Sequence, residues 1–156
     1  MPKENQKTAG LPFPPSLLMG IFLVVALLFG WKLPIPIPCP WWMKAIGYVL
    51  TLCSLGIYLS AGQAMKKAHT SSDPSTPTSA IVTEGPYRFS RNPIYLSFVL
   101  IVISLPLILG YYWGAILAPV AIDAYNRLMI EREEIYLEQQ FKPTYPEYKS
   151  RVRRWL

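Results

Sequence analysis

The chain has 156 residues, 52% of them hydrophobic and only 15% charged, with a formal net charge of +6 and a pI near 9.4. Soluble domains carry about 25% charged residues, so this composition argues against an ordinary water-soluble domain and for a membrane protein. A single histidine, His69, removes histidine-based metal clusters and most triad chemistry from consideration.

Three stretches carry no charge at all: Thr8 to Trp31, Ala45 to Met65, and Asn92 to Ile122. A span needs about 20 apolar residues. The third stretch, with 31 residues, is too long for one ordinary span, and Gly110-Tyr-Tyr-Trp-Gly114 near its middle supplies turn residues and interfacial aromatics. It is therefore read as a helical hairpin. The expected fold is all-α and polytopic, with four transmembrane helices: Ser16 to Trp31, Lys44 to Met65, Pro93 to Leu109 and Tyr112 to Leu128. One domain is expected over 1–156, with two N-terminal spans in 1–66, a loop in 67–92, the hairpin in 93–128 and a C-terminal segment in 129–156.

Lys3 and Lys7 before an apolar segment also suit a cleaved signal peptide, but no small-residue cleavage site follows Leu28, so the segment is kept as a span. Orientation follows the basic residues of short loops. Lys3, Lys7, Lys66, Lys67, Arg88, Arg91 and seven more at or beyond the end of span four lie on one side, against Lys32 and Lys44 on the other. Both termini and the central loop are thus expected in the cytoplasm. The positive charge then needs no nucleic acid: juxtamembrane cations facing anionic headgroups account for it. Cys39 and Cys53, one in an outer loop and one inside a span, do not suggest a disulfide or a metal pair.

The outer segment Leu33-Pro-Ile-Pro-Ile-Pro-Cys-Pro-Trp-Trp42 alternates proline with apolar residues, which forbids helix and favours an extended path, with Trp41 and Trp42 anchoring the next span. Thr70 to Ser79 has the composition of a mobile loop. After Leu128, Ile130, Glu134, Leu137, Phe141, Tyr145, Tyr148 and Val152 recur at threes and fours. That is an amphipathic pattern. It predicts a helix continuing from span four to Gln140, a kink at Pro143 and Pro146, and a short basic segment to Leu156 in which Trp155, beside Arg153 and Arg154, anchors at headgroup level.

Two clusters carry chemistry. In Gly85-Pro-Tyr-Arg-Phe-Ser-Arg-Asn-Pro-Ile-Tyr95, Gly85-Pro86 forces a turn, Pro93 pushes Asn92 out of helical geometry, and Arg88 and Arg91 crowd the N-terminus of span three. Either arginine alone is an ordinary positive flank. Together with the free N–H groups of the first turn and the rings of Tyr87 and Tyr95, they suit an anionic, partly flat ligand. The second cluster is Glu131-Arg-Glu-Glu134, preceded by Asp123 and Arg127. Arg127 with Glu131 fits a solvated i,i+4 pair. Glu134 lies on the apolar stripe and needs a partner, for which a cationic ligand qualifies.

The stretch "TEGPYRFSRNPIYLS", followed by "REEIYLEQQFKPTYPEYKSRVRRWL", resembles the integral membrane methyltransferases of the isoprenylcysteine carboxyl methyltransferase and phospholipid methyltransferase group. Two motifs occur in order, from Thr83 to Leu156. Ser97 and Lys142 stand where many members have glycine. The resemblance implies a cytoplasmic site for S-adenosylmethionine built from Tyr87, Arg91, Asn92, Pro93, Tyr95, Glu133, Glu134, Leu137 and Tyr145, with no metal, and a lipophilic or lipid substrate entering from the bilayer of a prokaryotic plasma membrane. Arg127 would hold a carboxylate acceptor, or Glu134 would deprotonate an amine; carboxylate, amine and thiol acceptors all stay open. A nicotinamide-dependent reductase of the sterol type and a non-catalytic membrane adaptor are the alternatives.

Overall fold

The computed structural model describes residues 10–70, 76 and 78–156. The lysines at positions 3 and 7, and most of the loop expected between Thr70 and Ser79, lie outside the described residues. What is described is helical: α1 Pro15–Lys32, α2 Trp41–Lys67, a 3-10 turn Gly85–Arg88, α3 Pro93–Ile108, α4 Trp113–Tyr125, a π-helical segment Asn126–Ile130, α5 Glu131–Gln140 and α6 Thr144–Arg151. No strand occurs among the described residues.

The four expected spans all appear as helices, but only two of them have the length and apolarity to cross a membrane unaided. These are α1, with 18 residues, and α2, with 27. The hairpin helices are shorter, 16 residues in α3 and 13 in α4, because the turn at Gly110 (φ +89°) divides the apolar stretch and the π-helical segment takes the end of the second arm. The four-span expectation is corrected to two candidate spans plus a shorter apolar hairpin. Trp41 and Trp42, expected ahead of span two, form the first turn of α2 instead, since Pro40 ends the extended loop.

Helix α3 is central and packs against α1, α2 and α4. Its contact with α2 is a polar seam: Thr51 Oγ1 donates to Ser104 Oγ (2.8 Å) and Ser54 Oγ to the Ser97 carbonyl (2.8 Å). Ser97 accepts its place in that seam by turning its own hydroxyl back to the Ile94 carbonyl (2.6 Å). The hairpin arms touch at Gly114, where a Cβ would lie 2.2 Å from the Val102 carbonyl oxygen. By contrast the outer faces of α1 and α2 present Leu17, Ile21, Val24 and Leu28, and Val49, Leu52, Leu55 and Leu59, to the surroundings, as lipid-facing helices do.

Beyond α4 the helix runs on to Gln140, as its periodicity predicts, but through five π-helical residues. The segment past Phe141 is not merely a basic tail: α6 forms from Thr144 to Arg151. Pro146 does not prevent it, because it lies in the first turn, where the missing N–H has no partner to lose.

Candidate active site

Three short segments converge at one end of the bundle: the 3-10 turn leading into α3, the start of α5, and α6 with the residues after it. The local chemistry of the first is set by Gly85, at φ +60°, and by Asn92, held at φ −129° and ψ 53° just before Pro93. That conformation leaves Arg91 pointing across the N-terminus of α3 toward α5.

The last residues are tied to this turn. The Arg91 N–H donates to the Arg153 carbonyl (3.0 Å), while Asn92 Nδ2 (2.9 Å) and Ser90 Oγ (3.3 Å) both donate to the Arg154 carbonyl. Tyr148 Oη donates to the Tyr87 carbonyl (2.7 Å). Trp155 is turned inward rather than toward headgroups. Its Nε1 donates to Asn126 Oδ1 (3.1 Å), and its ring packs beside the core formed by Leu18, Tyr95, Val99, Tyr125 and Met129. The expected headgroup anchor is therefore corrected: burying the indole with its N–H paired outweighs exposing it.

Glu134 stands at the centre, 6% exposed. Its Oε1 lies 3.2 Å from Arg91 Nη2 and 3.0 Å from Arg154 Nε; its Oε2 lies 2.8 Å from Arg154 Nη2 and 3.4 Å from Lys149 Nζ. Burial alone would raise this carboxyl, but the hydrogen bond from Arg154 and the charges of Arg91, Arg154 and Lys149 overcome it and hold Glu134 below its ordinary range. The partner that the apolar stripe demanded is thus a set of protein cations. Lys149 also bonds Glu138 (2.7 Å). Arg91 has one further donor, Nη1, 3.5 Å from Tyr145 Oη, and its buried Nε has no hydrogen-bond partner among the described residues.

Glu133, one residue away, lives differently. Among the described residues it meets no cation in an ion pair, and its one side-chain hydrogen bond comes from Tyr95 Oη (2.5 Å). Burial pushes its carboxyl up to about 7, with the Tyr95 bond pulling the other way and the nearby Glu134 charge adding to the rise. Burial likewise raises the phenols of Tyr87 and Tyr148, and that of Tyr145 to about 12, so all three stay protonated at neutral pH.

These side chains border a cavity of about 170 Å³. At roughly 15 Å³ per water on such a measure, it is a ligand-sized space rather than a packing defect. Of the residues singled out from the sequence, Tyr87, Arg91, Asn92, Pro93, Tyr95, Glu133, Glu134, Leu137 and Tyr145 all line it. Arg127 does not. It pairs with Asp123 (2.9 Å), not with Glu131, and the two side chains are 73% and 59% exposed. The π-helical segment that begins at Asn126 changes the helical phase and turns Arg127 away from the cavity. Sequence reasoning missed Arg154 and Lys149 as partners of Glu134, and the contributions of Met65, Ile81 and Val82 to the apolar wall. The closing Arg-Val-Arg-Arg-Trp run was the available signal for Arg154; nothing local distinguishes Met65. Among the described residues, no group of three histidine, cysteine, aspartate or glutamate side chains is placed to hold a metal ion.

The chain is 41% identical over 63 residues to an uncharacterized protein of Haemophilus influenzae, a match that covers 40% of this chain and the whole of that protein. No solved structure matches. Residues 42–144 match the phospholipid methyltransferase family, and that stretch takes in α2, the turn that carries Arg91, the hairpin, and the helix that carries Glu133 and Glu134. With well over half of its length matched, the chain belongs to the phospholipid methyltransferase family.

Proposed function

We propose that this protein transfers a methyl group from S-adenosylmethionine to a lipophilic acceptor embedded in the bilayer. In this reading α1, α2 and the α3–α4 hairpin all sit in the membrane, and the cavity faces the cytoplasm with both termini. The excess of basic residues on that side supports the orientation.

One observation carries the reading: Arg91, with its side chain 8% exposed, borders the cavity and, among the described residues, keeps a buried Nε donor without an acceptor. A buried donor left unpaired costs free energy that a bound carboxylate would recover. The residues present fit a zwitterionic cofactor. Arg91 is the pole for its carboxylate, Glu134 the pole for its ammonium, and Tyr87, Tyr145 and Leu137 the walls for its adenine. When bound, that cofactor supplies an electrophilic methyl group on a sulfonium, and no nucleophilic side chain is needed. What the protein contributes is alignment and exclusion of water around a charge that disappears in the transfer. Lys149, the longest and most exposed contact of Glu134, is the one that gives way when the carboxylate takes on a ligand. Arg127 has no part in this cage.

Equilibrium binding of radiolabelled S-adenosylmethionine to the detergent-purified protein tests the proposal. Saturable uptake is expected, weakened by both Arg91→Ala and Glu134→Gln. An intact protein that takes up none ends the reading. Binding of a nicotinamide dinucleotide in its place would favour the reductase alternative.

A further inference from the structure

Among the described residues, the lysine, arginine, aspartate and glutamate side chains that border the cavity are Arg91, Glu133 and Glu134. S-adenosylmethionine brings three charges: a carboxylate, an ammonium and a sulfonium. Arg91 answers the first and Glu134 the second, which leaves Glu133 to meet the third, the one charge that methyl transfer removes. Its surroundings suit that task. Glu134 is held by Arg91, Arg154 and Lys149, whereas no cation among the described residues forms an ion pair with Glu133, and Tyr95, on α3, fixes one of its oxygens with a hydrogen bond. The other titratable or charged groups that share the cavity with it are Tyr87 and Arg91 from the segment before α3, Tyr145 and Tyr148 from α6, and Glu134 and Tyr136 on its own helix. A buried carboxyl with so little cationic support is costly to ionise, and a cationic ligand beside it supplies what is missing.

Building on the methyltransferase reading, we infer that Glu133, oriented by Tyr95, is the residue by which the site tells S-adenosylmethionine from its demethylated form, ionising to face the sulfonium and taking a proton back once that charge is gone. On binding, the O–H bond of the carboxyl breaks, the proton leaves to solvent and the electron pair stays on oxygen. Methyl transfer leaves the carbon–sulfur bonding pair on sulfur, now a neutral thioether. Glu133 is then a buried anion facing no charge; it recovers a proton from solvent, and the hold on the demethylated form loosens. A carboxyl raised to about 7 can make this exchange at neutral pH. A facing cation lowers that value, so S-adenosylmethionine binds at full strength above it and weakens about tenfold for each pH unit below it, until the lowered value is reached. The demethylated form gains nothing from the ionised carboxyl. Arg91 and Glu134 meet groups that the two ligands share, so their titrations cancel in the ratio of the two affinities.

The test is equilibrium binding, with no methyl acceptor present, of S-adenosylmethionine and S-adenosylhomocysteine to the detergent-purified protein side by side. Between about pH 5.5 and about pH 7.5 the preference for S-adenosylmethionine is expected to grow at least about tenfold. An analogue with a protonated amine in place of the sulfonium, charged but without a methyl group to give, should follow S-adenosylmethionine. Calorimetry in two buffers of different ionisation enthalpy should show about half a proton released per S-adenosylmethionine bound near pH 7, and none for S-adenosylhomocysteine. Glu133→Gln should abolish the pH dependence of the preference. Tyr95→Phe should move its onset to higher pH, because the lost hydrogen bond favours the charged form, and together with the calorimetry it keeps the test decisive if the glutamine variant does not fold. A preference level with pH in the unmodified protein, one that survives unchanged in Glu133→Gln, or an amine analogue that follows S-adenosylhomocysteine overturns the inference and leaves the methyltransferase reading standing. Absence of S-adenosylmethionine binding by the unmodified protein overturns both.

Discussion

Two adjacent glutamates on one helix show how far environment separates identical side chains. Glu134 is folded into a cage of cations and Glu133 into a tyrosine-capped corner, so their carboxyls move in opposite directions. For Glu134, with its folded value depressed, the stability it contributes is present above the ordinary carboxylate range and is lost as pH falls through it. For Glu133, with its folded value raised, the folded state holds its proton more tightly than the unfolded chain, so stability declines as pH rises from 4.5 to about 7. Glu133→Gln is therefore expected to flatten that decline, seen as denaturation midpoints measured across this window in detergent; an unchanged slope would refute the assignment. Glu134→Ala leaves Arg91 buried and uncompensated and is expected to cost about 3–5 kcal/mol, measurable by chemical denaturation. Loss of less than about 1 kcal/mol, the worth of a surface pair, would mean that the cage is not buried in solution.

At the scale of elements, what was legible in the sequence and what was not follow from which interactions are local. Proline after Asn92 and glycine before Pro86 set turns by backbone sterics alone, and both turns occur as the residues require. The stripe from Ile130 through Glu134 to Leu137 does face inward, with Ile130 and Glu134 buried. The π-helical segment, the existence of α6 and the inward turn of Trp155 were not legible, because each depends on a partner distant in sequence: Trp155 on Asn126, Tyr148 on Tyr87, the Arg154 carbonyl on Asn92. The hairpin makes a prediction of its own. A methyl group at position 114 would meet the backbone of α3 at Val102 and Ile103, which cannot retreat as a flexible side chain can. Gly114→Ala is expected to destabilise the protein by about 1–3 kcal/mol, read from the thermal midpoint. Gly56→Ala, where a Cβ meets nothing, is the control that should change little.

For the whole molecule the proposed orientation makes a prediction that cysteine accessibility tests. In the orientation proposed above from the excess of positive charge, Leu156 and the loop before α3 would lie inside, and the Leu33 to Pro40 loop, with Cys39, outside. In a Cys53→Ser background, a membrane-impermeant maleimide applied to intact cells is expected to label Cys39, which is partly exposed, but not a cysteine introduced as Leu156→Cys until the cells are permeabilised. The reverse pattern would turn the cavity to the outside and remove it from the cofactor pool.

By itself the sequence determined that the chain is helical and apolar, that its third uncharged stretch must fold back on itself, and that turns flank the arginine cluster before α3. Those are consequences of composition, of proline and glycine sterics, and of helical period, all of which act over a few residues. Only the tertiary structure decided that Glu134 is neutralised by Arg91, Arg154 and Lys149, that Glu133 stands apart with Tyr95, and that Arg127 faces away. Charges a few ångströms apart in a dry interior set one another's state, and no sequence distance reports that separation.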